Sequence, residues 1–245
     1  MNHLKNKYLL FYALVFSTLC LFECKKKATP LTSIETGTVK DTQGNTYNTV
    51  KIGNQWWMAE NLKVKVYNDS TAIVEVKSTD ADSLWANKTI GAFCNVDTRY
   101  GLYYNWYAIN TSKKIAPVGW HVATDDDWKI LEMELGIPGT EADQTSWRGT
   151  TAVEKLLPQA SVGWPTTYLV FGTNESGFSA LPGGCKVFNG EVGDLASTGY
   201  WWSSSNRDPQ NAWYRNLSCT NNAVFRYYAN KRYGFSVRCV KDQPN

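Results

Sequence analysis

Five cations crowd the end of the chain: Arg215, Arg226, Lys231, Arg232 and Arg238 all fall between positions 215 and 238. The formal charge of the whole chain is only +3, so this is local enrichment in a nearly balanced sequence. Planar guanidinium groups grip carboxylate or sulfate with two parallel hydrogen bonds. Tyr214, Tyr227, Tyr228 and Tyr233 alternate with these cations, and their ring faces suit stacking on sugars. The combination predicts a surface for acidic glycans. The competing account places the arginines on a solvated face, paired with scattered carboxylates. A second polar constellation, Asn206, Arg207, Asp208 and Asn211, surrounds Pro209. It reads either as a ligand site or as a turn, for which Asn, Asp and Pro are the usual residues.

Other chemistry has less support. Past the first few residues His121 is the only histidine, so a histidine metal site or a Ser/His/Asp triad would depend on that residue alone. Its setting between tryptophan-bearing segments predicts a hydrogen-bonded core residue. Asp125, Asp126 and Asp127 lack the alternating spacing of a calcium loop. They suit the positive end of a helix, with Thr124 as its cap. Gly183-Gly184 and the serines at 203–205 do not form a phosphate-binding pattern. No metal or cofactor is expected.

The elements that would position these residues are mostly strands. Segments 38–41, 46–52 and 55–59 read as three strands, with turns at Gln43-Gly44-Asn45 and Gly53-Asn54. Segment 63–76 reads as extended and partly exposed, 78–85 as holding one helical turn, and the aromatic run 101–109 as a strand. A helix is predicted after Thr124, with Trp128, Leu131 and Leu135 on one face, stopping at Gly136 and Pro138. A second is predicted from Thr151, with Glu154 completing a capping box, to Pro158. From 200 on, aromatic and β-branched runs separated by polar clusters predict an antiparallel meander with a hairpin at Asn221-Asn222. In its last run Phe235, Val237 and Cys239 share one face, while Ser236 and Arg238 share the other. That alternation predicts one buried and one wet side, with the last strand central in its sheet.

The front of the chain sets the compartment. Lys5 and Lys7 precede an apolar run at 8–22, too short to span a bilayer and of signal-peptide type. Cys24 follows, then three lysines. This predicts a lipoprotein leader at 1–23, lipidation of Cys24, a tether at 24–35 and a folded domain at 36–242. Without the leader's two lysines and one glutamate the charge is +2, which gives no reason to expect nucleic acid. The 11 tryptophans support a sizeable core. Cys94, Cys185, Cys219 and Cys239 could form two disulfides in an exported protein, in three possible pairings, and none has metal-site spacing.

Seven blocks carry a resemblance. VKIGNQWWMAENL (50–62), GLYYNWYA (101–108), GWHVATDDDW (119–128), NESGFSALPGG (174–184), YWWSS (200–204), NAWYRNL (211–217) and GFSVRCV (234–240) resemble, in order, the Fibrobacter succinogenes major paralogous domain. The resemblance implies an exported lipoprotein of the type found in Bacteroidota. It also implies an α+β fold of the C-type lectin-like superfamily: twisted antiparallel sheets with two helices. Where that family commonly has Cys-Pro before the Gly-Trp-His block, this chain has Ala116-Pro117. Cys239 therefore lacks its expected partner, and a Cys185–Cys219 bridge becomes the favoured pairing.

The same superfamily contains formylglycine-generating enzymes, which use two cysteines close in sequence before their last segment. Here Cys219 stands alone. The Glu-Pro-Asn loop and Trp-Asn-Asp strand of calcium-dependent lectins are also missing. The sequence therefore predicts a non-enzymatic envelope lipoprotein. It would sit in the outer membrane, on the cell surface or the periplasmic face, and act in adhesion by binding glycan or another envelope protein. The alternative is a structural envelope or filament component without a small ligand.

Overall fold

The computed structural model describes residues 34–150, 152–159, 163–165 and 171–243. The leader, Cys24 and Thr151 lie outside the described residues.

The first sheet has the order β1-β2-β3-β15-β7, antiparallel throughout. Its strands are β1 (Thr36–Lys40), β2 (Thr46–Ile52), β3 (Gln55–Met58), β7 (Trp120–Val122) and β15 (Cys239–Lys241). Gly44 and Gly53 take φ of +82° and +56° in the two turns, where a side chain would be strained. The second sheet has the order β10-β9-β14-β6-β5-β4. It comprises β4 (Val74–Glu75), β5 (Ala92–Cys94), β6 (Tyr103–Asn105), β9 (Cys185–Lys186), β10 (Val192–Gly193) and β14 (Gly234–Phe235). The third has the order β11-β12-β13-β8: β11 (Thr198–Asn206), β12 (Asn211–Ser218), β13 (Asn221–Asn230) and β8 (Ser146–Arg148).

The helices are short: α1 (Asp82–Ala86), α2 (Trp106–Ile109), α3 (Asp125–Glu134), α4 (Gly139–Ala142) and α5 (Val153–Leu156). The fold is thus mostly β, of α+β type. In α3 the Thr124 hydroxyl accepts from the Asp127 amide and the Asp127 carboxylate accepts from the Thr124 amide, a reciprocal cap. Trp128 and Leu131 face a core with Trp57, Phe178, Trp201 and Leu217. A second core holds Tyr47, Phe93, Tyr104, Trp202, Phe235 and Val237.

Four expectations change. Aromatic segment 101–109 is a strand only over Tyr103–Asn105, because the Asn105 side chain then accepts from the Ala108 amide and starts α2. The hairpin between β12 and β13 turns at Cys219-Thr220, since Ser218 already pairs with Asn221. The second predicted helix is the one-turn α5, and Ala152 at its start supplies no side-chain cap. The last run splits: β14 is internal to the second sheet and β15 to the first. Both its faces are covered, with Ser236 1% and Arg238 0% exposed, so it has no wet side.

Candidate functional site

The clustered arginines face inward. Antiparallel register sets Arg215 of β12 opposite Arg226 of β13, and Val224 of β13 opposite Arg148 of β8. α3 lies against this face and supplies Asp125 and Glu132, seven residues apart and so two turns along one side of the helix. Asp125 Oδ1 accepts from Arg215 Nη1 at 2.7 Å and from Arg226 Nε at 3.0 Å, and its Oδ2 accepts from Arg226 Nη2 at 2.7 Å. Glu132 Oε1 accepts from Arg215 Nε at 2.6 Å, and its other oxygen pairs with Arg148. Burial pushes the Asp125 pKa up, but the bonds and charges of Arg226 and Arg215 outweigh it and hold the carboxyl far below its usual range. Arg215 and Arg226 are buried and pair with carboxylates of this chain, so neither meets a ligand. The stripe Asp125, Trp128, Leu131, Glu132 was the available signal, because two acids on an apolar helix face require buried cations.

The other cations are engaged as well. Lys231 Nζ donates to the carbonyls of Asp208 at 2.9 Å and Pro209 at 3.0 Å, 4.5 Å from the Trp106 ring centre. Arg232, half-buried, donates to the Ala86 carbonyl at 3.0 Å and to Asn230 Oδ1 at 3.3 Å. Asp208 accepts from the amides of Gln210 and Asn211 and from Asn211 Nδ2, which makes 206–211 a self-satisfied turn. Asn206 is exposed at the end of β11. Arg207 is exposed too and lies 5.0 Å from the Tyr228 ring centre.

The opposite face of the same sheet is aromatic. Register places Tyr200 opposite Asn216, Trp202 and Tyr227 opposite Tyr214, and Trp147 opposite Phe225, so all of these side chains point away from α3. β14 runs beside β11: the Ser236 amide donates to the Tyr200 carbonyl, and the Trp202 amide to the Ser236 carbonyl. Phe235 therefore sits under Tyr200, stacked at 5.2 Å, and under Tyr214 at 5.0 Å. A pocket of about 390 Å³ opens there, lined by Tyr200, Tyr214, Tyr228 and Tyr233, floored by Phe235, and edged by Asp194, Asn211 and Asn230.

Its polar groups are only partly engaged. Tyr200 Oη donates to Asp194 Oδ2 at 2.6 Å. Burial first, and that carboxylate second, push the Tyr200 pKa well up, so the hydroxyl stays protonated. Asn211 uses its Nδ2 on Asp208, and Asn230 uses its Oδ1 on Arg232. Among the described residues, Asn211 Oδ1, Asn230 Nδ2 and the hydroxyls of Tyr214 and Tyr233 have no hydrogen-bond partner. Of the residues singled out from sequence, Asn211, Tyr214, Tyr228 and Tyr233 meet here. Tyr227 is exposed and stacks on Tyr228 at 4.3 Å. Tyr200 could have been found from its two-residue spacing to Trp202, whereas Asp194 arrives from a loop that no periodicity marks.

A larger cleft of about 840 Å³ lies along β1 and β2. Three of its polar side chains are already paired, Asn61 with the Tyr100 carbonyl, Glu60 with Asn48, and Asn174 with Ser179, and Tyr100 is its one lining ring. The smaller pocket combines rings with open polar atoms, and we take it as the candidate site.

His121 is engaged by two carboxylates and the described cysteines are buried. His121 is half-buried at the surface rather than in the core, with Nδ1 at 2.7 Å from Asp242 and Nε2 at 3.0 Å from Asp127. The Asp127 bond, followed by Asp242, raises its pKa against the opposing effect of burial. Cys94, Cys185, Cys219 and Cys239 are all free and buried. The expected Cys185–Cys219 bridge is not formed, because the two residues belong to different cores. Burial pushes the Cys94 thiol up to about 11 and the Cys185 thiol to about 12, which disfavours thiolate. Among the described residues, no group of three or more His, Cys, Asp or Glu side chains could hold a metal, and no helix is long and apolar enough to cross a membrane.

No curated protein and no solved structure matches the chain. The Fibrobacter succinogenes major domain matches residues 50–241, most of the sequence and all three sheets apart from β1 and the start of β2, and the chain belongs to that family.

Proposed function

We propose that this protein is a non-enzymatic binding module of the cell envelope, anchored through lipid on Cys24, with the tyrosine-lined pocket as its glycan site. The C-type lectin-like architecture belongs to the same reading. The observation that carries it is the convergence of Tyr200, Tyr214 and Tyr233 with Asp194, Asn211 and Asn230 around one opening. Flat rings beside a few oriented polar groups match a pyranose, which has an apolar face and an equatorial belt of hydroxyls. The inward turn of Arg215 and Arg226 revises the ligand class. With these two cations unavailable and Asp194 at the rim, the site favours a neutral sugar over an acidic one.

The test is calorimetric titration of the purified full chain with neutral and acidic polysaccharides over a range of salt. Neutral polymers should bind with little salt dependence, since no exposed ion pair is involved. Tyr200→Phe, which keeps the ring and removes the oriented hydrogen bond, and Asp194→Asn, which keeps the shape but leaves only a neutral acceptor, should weaken binding while leaving the melting temperature nearly unchanged. Preference for acidic polymers, lost as salt rises, would reinstate the cationic reading. The anchor is tested separately: Cys24→Ala should move the protein out of the membrane fraction and remove its lipid mass.

A further inference from the structure

The pocket is the middle of a longer row of rings. Phe188, just past the end of β9, packs at 5.5 Å on Tyr233, which is 5.4 Å from Phe235 of β14. Phe235 leads to Tyr200 of β11, Tyr200 to Tyr214 of β12 at 6.0 Å, Tyr214 to Phe225 of β13 at 6.1 Å, and Phe225 to Trp147 of β8 at 4.8 Å. The row follows the spatial strand order β9-β14-β11-β12-β13-β8 and crosses the strands rather than running along them. Its ends are open, with Phe188 43% and Trp147 39% exposed, while Tyr200, Tyr214, Phe225 and Tyr233 are half-buried.

Neighbouring strands lie about 4.8 Å apart, close to the length one pyranose adds to a polymer. From this spacing we propose that the site takes an internal stretch of an extended neutral polysaccharide, laid across the sheet over its exposed and half-buried rings with buried Phe235 beneath them, and not a chain end. The inference rests on the glycan reading of the pocket. Two features support this occupant. A monosaccharide would fill the tyrosine pocket and leave Phe188 and Trp147 bare at either end. The cation bordering the row, Arg232 with its guanidinium 6.0 Å from the Phe188 ring centre, is already engaged by Asn230 and the Ala86 carbonyl, which favours a polymer without charge over an acidic one.

The full chain is titrated with neutral β-linked glucan, mannan and xylan oligomers from dimer to octamer. For the polymer that binds, affinity should rise with length and then level off, with the hexamer roughly tenfold or more tighter than the dimer. Phe188→Ala and Trp147→Ala, both exposed ring truncations, should weaken the hexamer several-fold and leave the dimer unchanged. Capping the reducing end should change nothing. A dimer as tight as the hexamer, or a hexamer indifferent to both end variants, would overturn the extended mode while leaving the pocket's glycan role standing. If no oligomer or polymer of any length binds the folded chain, the glycan reading fails and this inference with it.

Discussion

The two faces of the β11-β12-β13-β8 sheet invert the usual arrangement of a half-wet sheet. The face toward α3 carries Arg148, Arg215 and Arg226 and is buried, whereas the face away from it carries Tyr200, Tyr214, Phe225, Tyr227 and Trp147 and is partly open. Strand alternation decides only which residues share a side. Which side is covered depends on what docks there, and here α3 brings two carboxylates that make a cationic face buriable. The two faces should also differ in energy. Buried ions are costly unless matched, so the inner face is intolerant of single changes. The other face loses only ring contacts, so it is free to specialise in binding.

The largest effect is expected inside. Glu132→Ala leaves the buried Arg215 and Arg148 without their shared carboxylate, and removing one member of a buried pair costs about 3–5 kcal/mol. Such a loss would unfold much of a marginal domain. Urea denaturation measures it, and a loss under about 1 kcal/mol would place the network in solvent rather than in the interior. Phe235→Ala, under the pocket, is expected to cost about 3–5 kcal/mol as a truncated buried ring. Trp213 lies on β12 opposite Tyr228. It is half-buried beneath the Arg226 guanidinium, 3.8 Å from its ring centre, so its truncation should cost less than that of Phe235.

The pH dependence separates two groups at and beside the start of α3. Asp125 and Asp127 have folded pKa values below their unfolded ones. For Asp127, burial raises the value, and the bonds from His121 and Thr124 outweigh it. Their stabilisation is therefore present above the ordinary carboxylate range, about 3.9, and is lost as pH falls through the depressed values. His121 has the opposite sign. Its raised folded pKa gives stabilisation that is complete below about 6.5 and fades as pH climbs through the folded value. Melting temperature against pH should thus fall steeply on the acid side and gently on the alkaline side of a plateau. His121→Gln should flatten only the alkaline limb; an unchanged slope there would assign it to other groups.

Much of this architecture was legible from sequence where local chemistry is decisive. β2 matches its predicted range, the glycines of the first two turns adopt positive φ, and the Thr124 cap forms as read. Legibility failed where one residue type serves two structures. Trp106 and Tyr107 fit a strand by composition but begin a helix, because Asn105 caps it. It failed again where burial depends on distant chain. Arg238 alternates as a surface residue would. It is nevertheless enclosed, donating to Asn61 and to the carbonyls of Met58, Phe178 and Ser179, and burial pulls its pKa down to about 9. The candidate site was half legible: four of its residues stand out as three tyrosines and an asparagine in or beside strands, while Asp194 and Phe188 come from loops.

The smallest stability effect should fall on the open aromatic face, and there the comparison is sharpest. Tyr227 is 37% exposed and donates only a long 3.4 Å bond to Tyr228, yet it sits on the strand that carries buried Arg226 one residue earlier. Tyr227→Ser keeps a hydroxyl, removes an exposed ring and leaves the inner face untouched. Substitutions of this kind usually change stability by no more than about 0.5 kcal/mol. Arg226→Ala, its neighbour, strips two bonds from buried Asp125 and should cost several kcal/mol by the same reasoning as Glu132→Ala. The pair is measured in one urea series, with polysaccharide binding followed for the variant that stays folded. A wide gap between adjacent positions would mean that strand alternation alone separates the load of the fold from the surface available for recognition. Equal costs at 226 and 227 would mean that the aromatic face is itself covered, and the candidate site would have to be sought elsewhere on the molecule.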